Sequence, residues 1–550
     1  MVIARPSTRN HAGTSPRLLP LVLLLAVYLP LSTQASSPTP PTEDQVHAHF
    51  VVLGSVKAEA GNGTVAYARV VQDLGLKCPT VVSGEQSLKM VTRDNPHGFP
   101  VTVCEARVGF DEELTVQLAE GTLALPTVRK NPEKVLVFGD TGCKLPKAGK
   151  EGGCAVGSPA EPFGRLTRAA AEGPAADLIL HLGDMNYRGT PGPTFFTVPG
   201  EGDDAGLIQQ SHWPYDAGDG SPASAGCEQG EGALYWSNNA PNAAYADHWQ
   251  TWKDDLFAPA AELLPLAPWV FSRGNHELCS RAGPGYFYFL DPHSNLGDGQ
   301  LSCPQPQVEE GVLKNEVMTP PYAVDLGSLR IVSLDSANAC DFFLNPGFTA
   351  LYAQQLTEVS KLVEGASTAW ITTHRPIWGV DGFEAEKSKP CSAEKKWSCL
   401  NQTLQQAIRQ SPGGKLPSPV QLVLSGHMHR FEAVTFQDQA HPPQVVIGNS
   451  GVQLEAYPPA GEHQVQVADN AAHLLATAAE VSTGTGAESK TQGAFGYLEV
   501  TLAEDGSWTG VLQDAPAGAE GRLEIATCGS KLAQDGAVCR LAPGVEAVEP

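Results

Sequence analysis

Five apolar runs in this chain each end in a short turn that carries Asp, Asn or His, and this pattern restricts the fold more than any other feature. Continuous apolar runs of four or five residues are typical of strands covered on both faces. Parallel α/β sheets place their sites beyond the carboxyl ends of such strands. We therefore predict an α/β fold with a site built from Gly139-Asp140-Thr141-Gly142, Gly183-Asp184-Met185-Asn186-Tyr187, Gly274-Asn275-His276-Glu277, Ile371-Thr372-Thr373-His374 and Gly426-His427-Met428-His429.

The donor types in these segments suit metal ions. The Asp184 carboxylate can bridge two ions, and the Tyr187 phenolate suits a trivalent ion better than zinc or magnesium. Two imidazoles one residue apart, at His427 and His429, can point at two neighbouring metals. Each segment alone is a common turn or strand end. The metal-site interpretation therefore depends on their occurrence together, in this order.

With these segments the chain resembles the calcineurin-like metallophosphoesterases, and within them the purple acid phosphatases. That superfamily usually has a second donor two residues after the first aspartate, where this chain has Gly142. The purple acid phosphatases also have glycine there, and they place a tyrosine ligand where Tyr187 stands. Ile371 replaces the usual valine of the fourth motif. The resemblance covers residues 134–455 and implies a four-layer αββα metallophosphoesterase sandwich.

Carried over position by position, the resemblance implies a binuclear centre of Fe(III) and a divalent ion, either Zn, Fe or Mn. The first metal would be held by Asp140, Asp184, Tyr187 and His429. The second would be held by Asp184, Asn275, His374 and His427, so that Asp184 bridges the two. Three anionic donors suit Fe(III), whereas a shared carboxylate, an amide and two imidazoles suit a divalent ion.

The resemblance also implies the reaction, which is hydrolysis of a phosphate monoester by attack of a metal-bound hydroxide, as in an acid phosphatase. His276 would donate a proton to the leaving alkoxide. The residues expected to contact the substrate are Asn275, His276 and His374. Four neighbours could support the ligands, contact phosphate, or simply pack: His181, Glu277, Arg375 and Arg430.

Two other functions are open from the sequence. With the same metals, the protein could be a phosphodiesterase or a nucleotide hydrolase, depending on a pocket that residues 190–244 would help to shape. That segment is long and rich in Gly, Pro, Ser and Asp, and long connections are often functional. A non-catalytic phosphate-binding or adhesion protein is the third reading. Because every donor of the five segments is present, an enzyme is favoured.

The chain divides into five predicted regions. Residues 1–35 combine a basic region, an apolar core and a small-residue cleavage site, as in a secretory signal peptide. Residues 36–45 are a predicted linker and 46–130 a small all-β, sandwich-like domain. The metallophosphoesterase domain would span 131–515. Residues 516–550 would form a C-terminal tail with a disulfide.

Charge and cysteine content bear on partners and compartment. A net charge of -24 argues against nucleic acid, so a small phosphorylated substrate is the expected partner. The apolar core of the signal is too short for a comfortable spanning helix, so we expect no stable membrane insertion after cleavage; an uncleaved anchor is the alternative. The 12 cysteines indicate disulfides and a secreted, periplasmic or extracellular location. The predicted pairs are Cys78–Cys104, Cys143–Cys154, Cys391–Cys399 and Cys528–Cys539. Four cysteines have no assigned partner: Cys227, Cys279, Cys303 and Cys340.

Local patterns predict further elements. Apolar periodicity indicates helices at 163–172, 245–264, 349–364 and 468–480, and hairpins at 322–334 and 495–513. Two Asn-x-Thr sequences, at Asn62 and Asn401, fit the glycosylation acceptor pattern.

Overall fold

The computed structural model describes most of the chain from Thr39 onward, which forms one compact unit. The described residues are 39–58, 61–143, 162–187, 247–279, 282–303, 308–309, 312–313, 317–339, 341, 346–381, 398–438, 440–455, 461–467, 470–477, 480–483, 490–516 and 521–547. The predicted signal peptide and the whole of the 190–244 segment lie outside them. Within these ranges, no helix is both long and apolar enough to cross a membrane.

The described elements include thirty strands and six α-helices. The strands are β1 (Val46–Ala58), β2 (Gly61–Asp73), β3 (Thr80–Ser83), β4 (Gln86–Lys89), β5 (Val91–Thr92), β6 (Val101–Val108), β7 (Leu114–Gln117), β8 (Thr122–Leu125), β9 (Lys134–Phe138), β10 (Leu178–His181), β11 (Trp269–Phe271), β12 (Val308–Glu309), β13 (Val312–Leu313), β14 (Tyr322–Leu326), β15 (Leu329–Leu334), β16 (Thr368–Thr373), β17 (Gly379–Asp381), β18 (Ser398–Leu400), β19 (Val420–Ser425), β20 (Phe431–Phe436), β21 (Gln444–Ile447), β22 (Gly461–Val467), β23 (Asn470–Ala476), β24 (Glu480–Thr483), β25 (Lys490–Gly493), β26 (Tyr497–Leu502), β27 (Trp508–Asp514), β28 (Leu523–Gly529), β29 (Cys539–Leu541) and β30 (Val545–Ala547). The helices are α1 (Pro162–Ala171), α2 (Trp249–Trp252), α3 (Gly283–Phe289), α4 (Pro346–Leu362), α5 (Gln402–Gln410) and α6 (Ser530–Gln534).

Two large mixed sheets form the centre of the molecule. The first runs β29-β28-β27-β26-β9-β10-β11-β1-β2-β6-β5, and the second runs β14-β15-β16-β19-β21-β20-β23-β22. Strands β9, β10, β11 and β1 are parallel, and so are β15, β16, β19 and β21. Each sheet therefore presents a row of carboxyl strand ends, with antiparallel strands at its margins.

Side-chain alternation along the strands produces four layers. Val135 and Val137 of β9 pack with Trp370 of β16 in a core between the two sheets. The intervening Leu136 and Phe138 face helix α1, and Ile371 of β16 faces α4 and α5. Because successive strand residues point to opposite faces, both sheets are covered on both sides. The predicted αββα architecture is confirmed.

The N-terminal region is rich in strands, as predicted, but most of them extend the first sheet. Strand β1 pairs in parallel with β11 through Val52 and Trp269, and β2, β6 and β5 continue the sheet outward. Only β4, β3, β7 and β8 form a separate sheet there. Four consecutive apolar residues of β1, Phe50 to Leu53, are buried, so both faces of this strand are covered. The predicted boundary at 130/131 therefore does not coincide with a break in the fold.

The C-terminal strands close the other margin of the first sheet. Strands β28 and β29 lie in the predicted tail; β28 pairs with β27, and β29 pairs with β28. The predicted helix at 468–480 is wrong, because residues 470–476 form β23 between β20 and β22. The helices predicted at 163–172 and 349–364 are confirmed as α1 and α4. In place of one helix at 245–264, α2 is followed by a π-helical turn, Lys253–Phe257.

Three disulfides lie within the described residues. Cys78–Cys104 and Cys528–Cys539 are pairs that the sequence predicts. Cys279–Cys303 joins two cysteines that sequence spacing left without partners. Cys143 is also disulfide-bonded, whereas its predicted partner Cys154 lies outside the described residues. Three other cysteines, Cys227, Cys340 and Cys391, also lie outside the described residues.

Candidate metal centre

The carboxyl ends of the parallel strands from both sheets meet at one place. Strands β9, β10 and β11 end in register, with Phe138 beside His181 and His181 beside Phe271. The His374 Nδ1 atom, after β16 of the other sheet, lies 2.8 Å from the Leu182 carbonyl oxygen. The His427 backbone N–H donates to Asp140 Oδ2 at 2.7 Å. Both sheets thus contribute side chains to one buried cluster.

The phenol of Tyr187 is at the centre of the first half of this cluster. Its Oη atom lies 2.9 Å from Asp140 Oδ1, 3.0 Å from Asp184 Oδ2 and 2.9 Å from His429 Nε2. Burial, together with Asp140 and Asp184, raises the pKa of the phenol well above its usual range. A cation at this position would favour the phenolate, because it would offset both carboxylates. The other three side chains predicted to hold the first metal therefore all lie within hydrogen-bond distance of the Tyr187 phenol.

The second half is built around His374. Its Nε2 atom lies 2.9 Å from Asn275 Oδ1 and 3.3 Å from Asp184 Oδ1. One potential ligand atom from each of Asp184, His374 and His427 lies within 4.8 Å of the others. Burial disfavours the imidazolium, but Asp184 outweighs it and raises the pKa of His374 to about 9. All seven predicted ligands thus lie in one cluster, and Asp184 touches both halves.

The buried carboxylates themselves fit a cationic group. Asp140 is fully buried and Asp184 is 1% exposed. Burial raises the pKa of Asp140, and the neighbouring Asp184 raises it further. Two carboxylates, a phenol and three imidazoles in one buried cluster match the hard and borderline donors that bind iron and zinc.

The backbone is strained where it presents these donors. Asp140, Asp184 and His427 have φ angles of 55°, 56° and 74°, in the left-handed region that residues with a side chain rarely adopt. Such conformations persist only where the surroundings impose them, and they concentrate at functional sites. Three predicted ligands share this feature, which indicates that the strand-end turns are shaped to aim the side chains.

Gly142 and Tyr187 occupy complementary space. A Cβ atom at position 142 would lie 2.7 Å from Tyr187 Cδ2 and 2.7 Å from the Met185 carbonyl oxygen. Atoms at that distance overlap, so a side chain at 142 and the Tyr187 ring exclude each other here. The paired change seen in the sequence therefore has a steric basis.

Glu277 ties two of the strand-end turns together. Its Oε1 atom accepts hydrogen bonds from the backbone N–H groups of Met185 and Asn186, and its Oε2 atom accepts from those of Asp184 and Gly274. The side chain is fully buried. Glu277 therefore fixes the turns that carry Asp184 and Asn275.

His276 lies at the edge of the cluster. Its backbone N–H donates to Asp184 Oδ1 at 2.8 Å, and its ring centroid is 4.0 Å from that of Tyr187. The Nε2 atom is 4.0 Å from Asp184 Oδ2, and the side chain is 16% exposed. His276 therefore adjoins the donors while remaining open to solvent.

The other flanking residues form internal contacts. His181 is buried, with its Nε2 atom 2.9 Å from Thr141 Oγ1. Arg430 contacts Glu432, Glu455 and the Val380 carbonyl oxygen. Arg375 contacts Asp341, whose carboxylate also touches His427.

Asp341 and Asn401 are parts of the site that the motifs did not indicate. Asn401 is fully buried; its Oδ1 accepts from the Leu404 N–H at the start of α5, and its Nδ2 donates to Asp341. This Asn-x-Thr sequence is therefore closed to glycosylation in the folded protein. Asp341 follows β15, whose carboxyl end points to the same edge as that of β16. It lies seven residues beyond the end of β15, so a search limited to strand ends would have found Asp335 instead.

Comparisons with known proteins give a family match and a structural match. Residues 133–431 match the family model "Calcineurin-like phosphoesterase". No curated protein matches the chain. Among solved structures, the chain is similar to a purple acid phosphatase from yellow lupin (Lupinus luteus) seeds, with 14% identity and a TM-score of 0.41. The match covers 91% of this chain and 74% of the lupin chain.

Proposed function

Because this chain belongs to the calcineurin-like phosphoesterase family, we propose that it is an exported acid phosphatase of the purple acid phosphatase type. The family identifies a metal-dependent phosphoesterase. The proposal adds the substrate class, phosphate monoesters, and a centre of Fe(III) with Zn, Fe or Mn. The observation that carries it is the Tyr187 Oη atom within 3.0 Å of Asp140, Asp184 and His429, in space that Gly142 leaves open.

The contacts support one assignment of ligands. Fe(III) would be held by Asp140, Asp184, Tyr187 and His429, and the divalent ion by Asp184, Asn275, His374 and His427. When bound, the two ions would activate water as the nucleophile and neutralise charge on the phosphate oxygens. A phenolate and two carboxylates suit the trivalent ion, whereas the imidazoles and the Asn275 amide suit the divalent one.

The protein's own residues would orient the substrate and manage the proton. His276 is partly exposed and adjoins both Tyr187 and Asp184, so its ring can reach a substrate above the cluster. As a general acid it would protonate the leaving alkoxide. Asn275 and His374 would contact the phosphate beside it. Glu277, through four backbone hydrogen bonds, would hold these groups in place.

Export is the second part of the proposal. The basic and apolar residues at 1–35 fit a secretory signal, and structural disulfides persist mainly in oxidising compartments. Three such bonds lie within the described ranges. Both features support an exported mature protein, in the periplasm or the extracellular medium.

Metal analysis and a visible spectrum of the natively exported protein test the centre. We expect one iron and one further metal per chain, and a charge-transfer band from phenolate on Fe(III). Hydrolysis of an aryl phosphate compared with its bis-ester tests the substrate class, and we expect the monoester to react faster. A colourless protein without iron, or a clear preference for the bis-ester, would contradict the proposal.

A further inference from the structure

Asp341 is a buried carboxylate beside the candidate centre and outside its predicted ligand set. It is 4% exposed. Its Oδ2 atom lies 2.9 Å from His427 Nε2 and contacts Arg375 Nη1. Its Oδ1 atom accepts a hydrogen bond from Asn401 Nδ2 at 2.9 Å. One carboxylate thus joins a candidate metal ligand to two other buried side chains.

Asp341 and Arg375 together confine one side of the His427 ring. The His427 Nε2 atom lies 2.9 Å from Asp341 Oδ2 and 3.0 Å from Arg375 Nη1. The guanidinium can only donate, and the carboxylate accepts from it. The buried ion pair therefore fixes where the Nε2 edge of His427 lies, and with it the orientation of the ring.

Asp341 is itself held by several contacts. Its backbone carbonyl accepts from the Gln402 N–H at 2.7 Å, and Asn401 is fixed as the N-terminal cap of α5. The Arg375 backbone N–H donates to Ser336 Oγ at 2.7 Å, and its Nε atom lies 3.3 Å from the Ala337 carbonyl oxygen. The carboxylate therefore cannot turn away from His427 without breaking several buried hydrogen bonds.

We propose that Asp341 is a positioning residue that holds the His427 ring in the orientation needed to bind the divalent ion. This inference rests on the binuclear centre of the proposed function. Carboxylates that accept the second ring N–H of a metal-binding histidine typically change metal affinity by about 10- to 100-fold. Asp341 should affect binding of the divalent ion and not of iron, because it touches His427, a candidate ligand of the divalent ion, and not Tyr187 or Asp140.

The test is the affinity of the exported, iron-containing protein for Zn(II), measured by competition with a chromogenic chelator. Asp341→Asn keeps the shape but places an amide where the carboxylate accepts. We expect Zn(II) binding to weaken by about 10- to 100-fold, with unchanged iron content and colour. Asp335→Asn is the matched control, since Asp335 follows the same strand and is buried against Arg273 at 3.0 Å. The control should bind Zn(II) as the wild type does.

A double-mutant cycle shows whether Asp341 acts through His427. His427→Ala should weaken Zn(II) binding by itself, and adding Asp341→Asn should weaken it no further. If Asp341→Asn does not fold, Asp341→Ser, which is smaller, replaces it in the same cycle. Additive losses in the cycle, or unchanged Zn(II) affinity in the single variant, overturn the positioning role alone. A wild-type protein that holds neither iron nor Zn(II) overturns the proposed function as well.

Discussion

The Tyr187 ring lies where a side chain at position 142 would have to lie, so only one of the two can be present. A Cβ atom at 142 would lie 2.7 Å from the ring. In the proposed centre, Tyr187 of the second strand end supplies a donor that Gly142 of the first cannot. A phenolate is charged and hard, so this donor favours a trivalent ion.

Tyr187→Phe tests this relation directly. The substitution removes Oη and keeps the ring that fills the space beside Gly142, so the fold should persist. If Oη binds Fe(III), the charge-transfer colour should disappear. The visible spectrum and the thermal unfolding of the variant measure the two effects separately. A colour that persists in Tyr187→Phe would show that another group produces it and that the assignment is wrong.

His276→Ala separates catalysis from metal binding. His276 belongs to neither predicted ligand set, so the variant should keep its colour and both metals. Removing the general acid should lower the rate by about 10²- to 10⁴-fold on alkyl phosphates. The loss should be smaller on aryl phosphates, whose leaving groups need less protonation. Full activity of the variant on an alkyl phosphate would leave no catalytic role for His276.

Strand ends and the turns that follow them are the elements that make the site. The five turns predicted from the sequence lie together because β9, β10 and β11 end at one edge and β16 and β19 end opposite them. This much was predictable, since continuous apolar runs indicate buried strands and the donors follow them directly. Asp341 was missed because it lies seven residues beyond the end of β15 and has no motif around it.

The error at residues 470–476 also has a physical cause. The sequence Asn-Ala-Ala-His-Leu-Leu-Ala has high helix propensity. In the structure it pairs with β20 on one side and β22 on the other, and Leu474 and Leu475 pack on opposite faces of the sheet. Propensity is a weak preference that such pairing overrides, and the pairing partners are not visible from the segment alone.

The four backbone hydrogen bonds of Glu277 lead to a prediction about the stability of these turns. In Glu277→Gln the single amide oxygen can serve only two of the four N–H groups, and the amide nitrogen would face the others. Each donor left without an acceptor should cost about 1–3 kcal/mol of unfolding free energy. Because the turns carry Asp184 and Asn275, metal affinity should fall as well.

Chemical denaturation and metal titration of Glu277→Gln measure these effects. The control is Glu358→Gln, an exposed residue of α4 whose partner is Lys361. The control should change the unfolding free energy by no more than about 0.5 kcal/mol. If Glu277→Gln is as stable as the wild type, the backbone hydrogen bonds do not hold the turns in place.

Four strands of the N-terminal region, β1, β2, β5 and β6, belong to the first large sheet of the molecule. Strand composition alone predicted a separate β domain at 46–130, because long-range pairing leaves no local signal. The pairing of β1 with β11 places Val51 and Leu53 between the two sheets and Phe50 and Val52 on the helical side. These strands thus contribute to two of the cores that support the site.

A chain lacking residues 46–130 should therefore fail to fold. It would expose the edge of β11 and lose the four buried β1 side chains, each worth about 1.5–3 kcal/mol. It would also lose Arg69 and Arg93, which donate to the Phe289 and Tyr288 carbonyl oxygens at the end of α3. A chain that starts at Thr39 keeps all of these contacts and should unfold at the wild-type temperature. Circular dichroism and size-exclusion chromatography compare the two chains. A soluble, cooperatively unfolding chain without residues 46–130 would show that the catalytic sheet is stable alone and that β1 is an accessory strand.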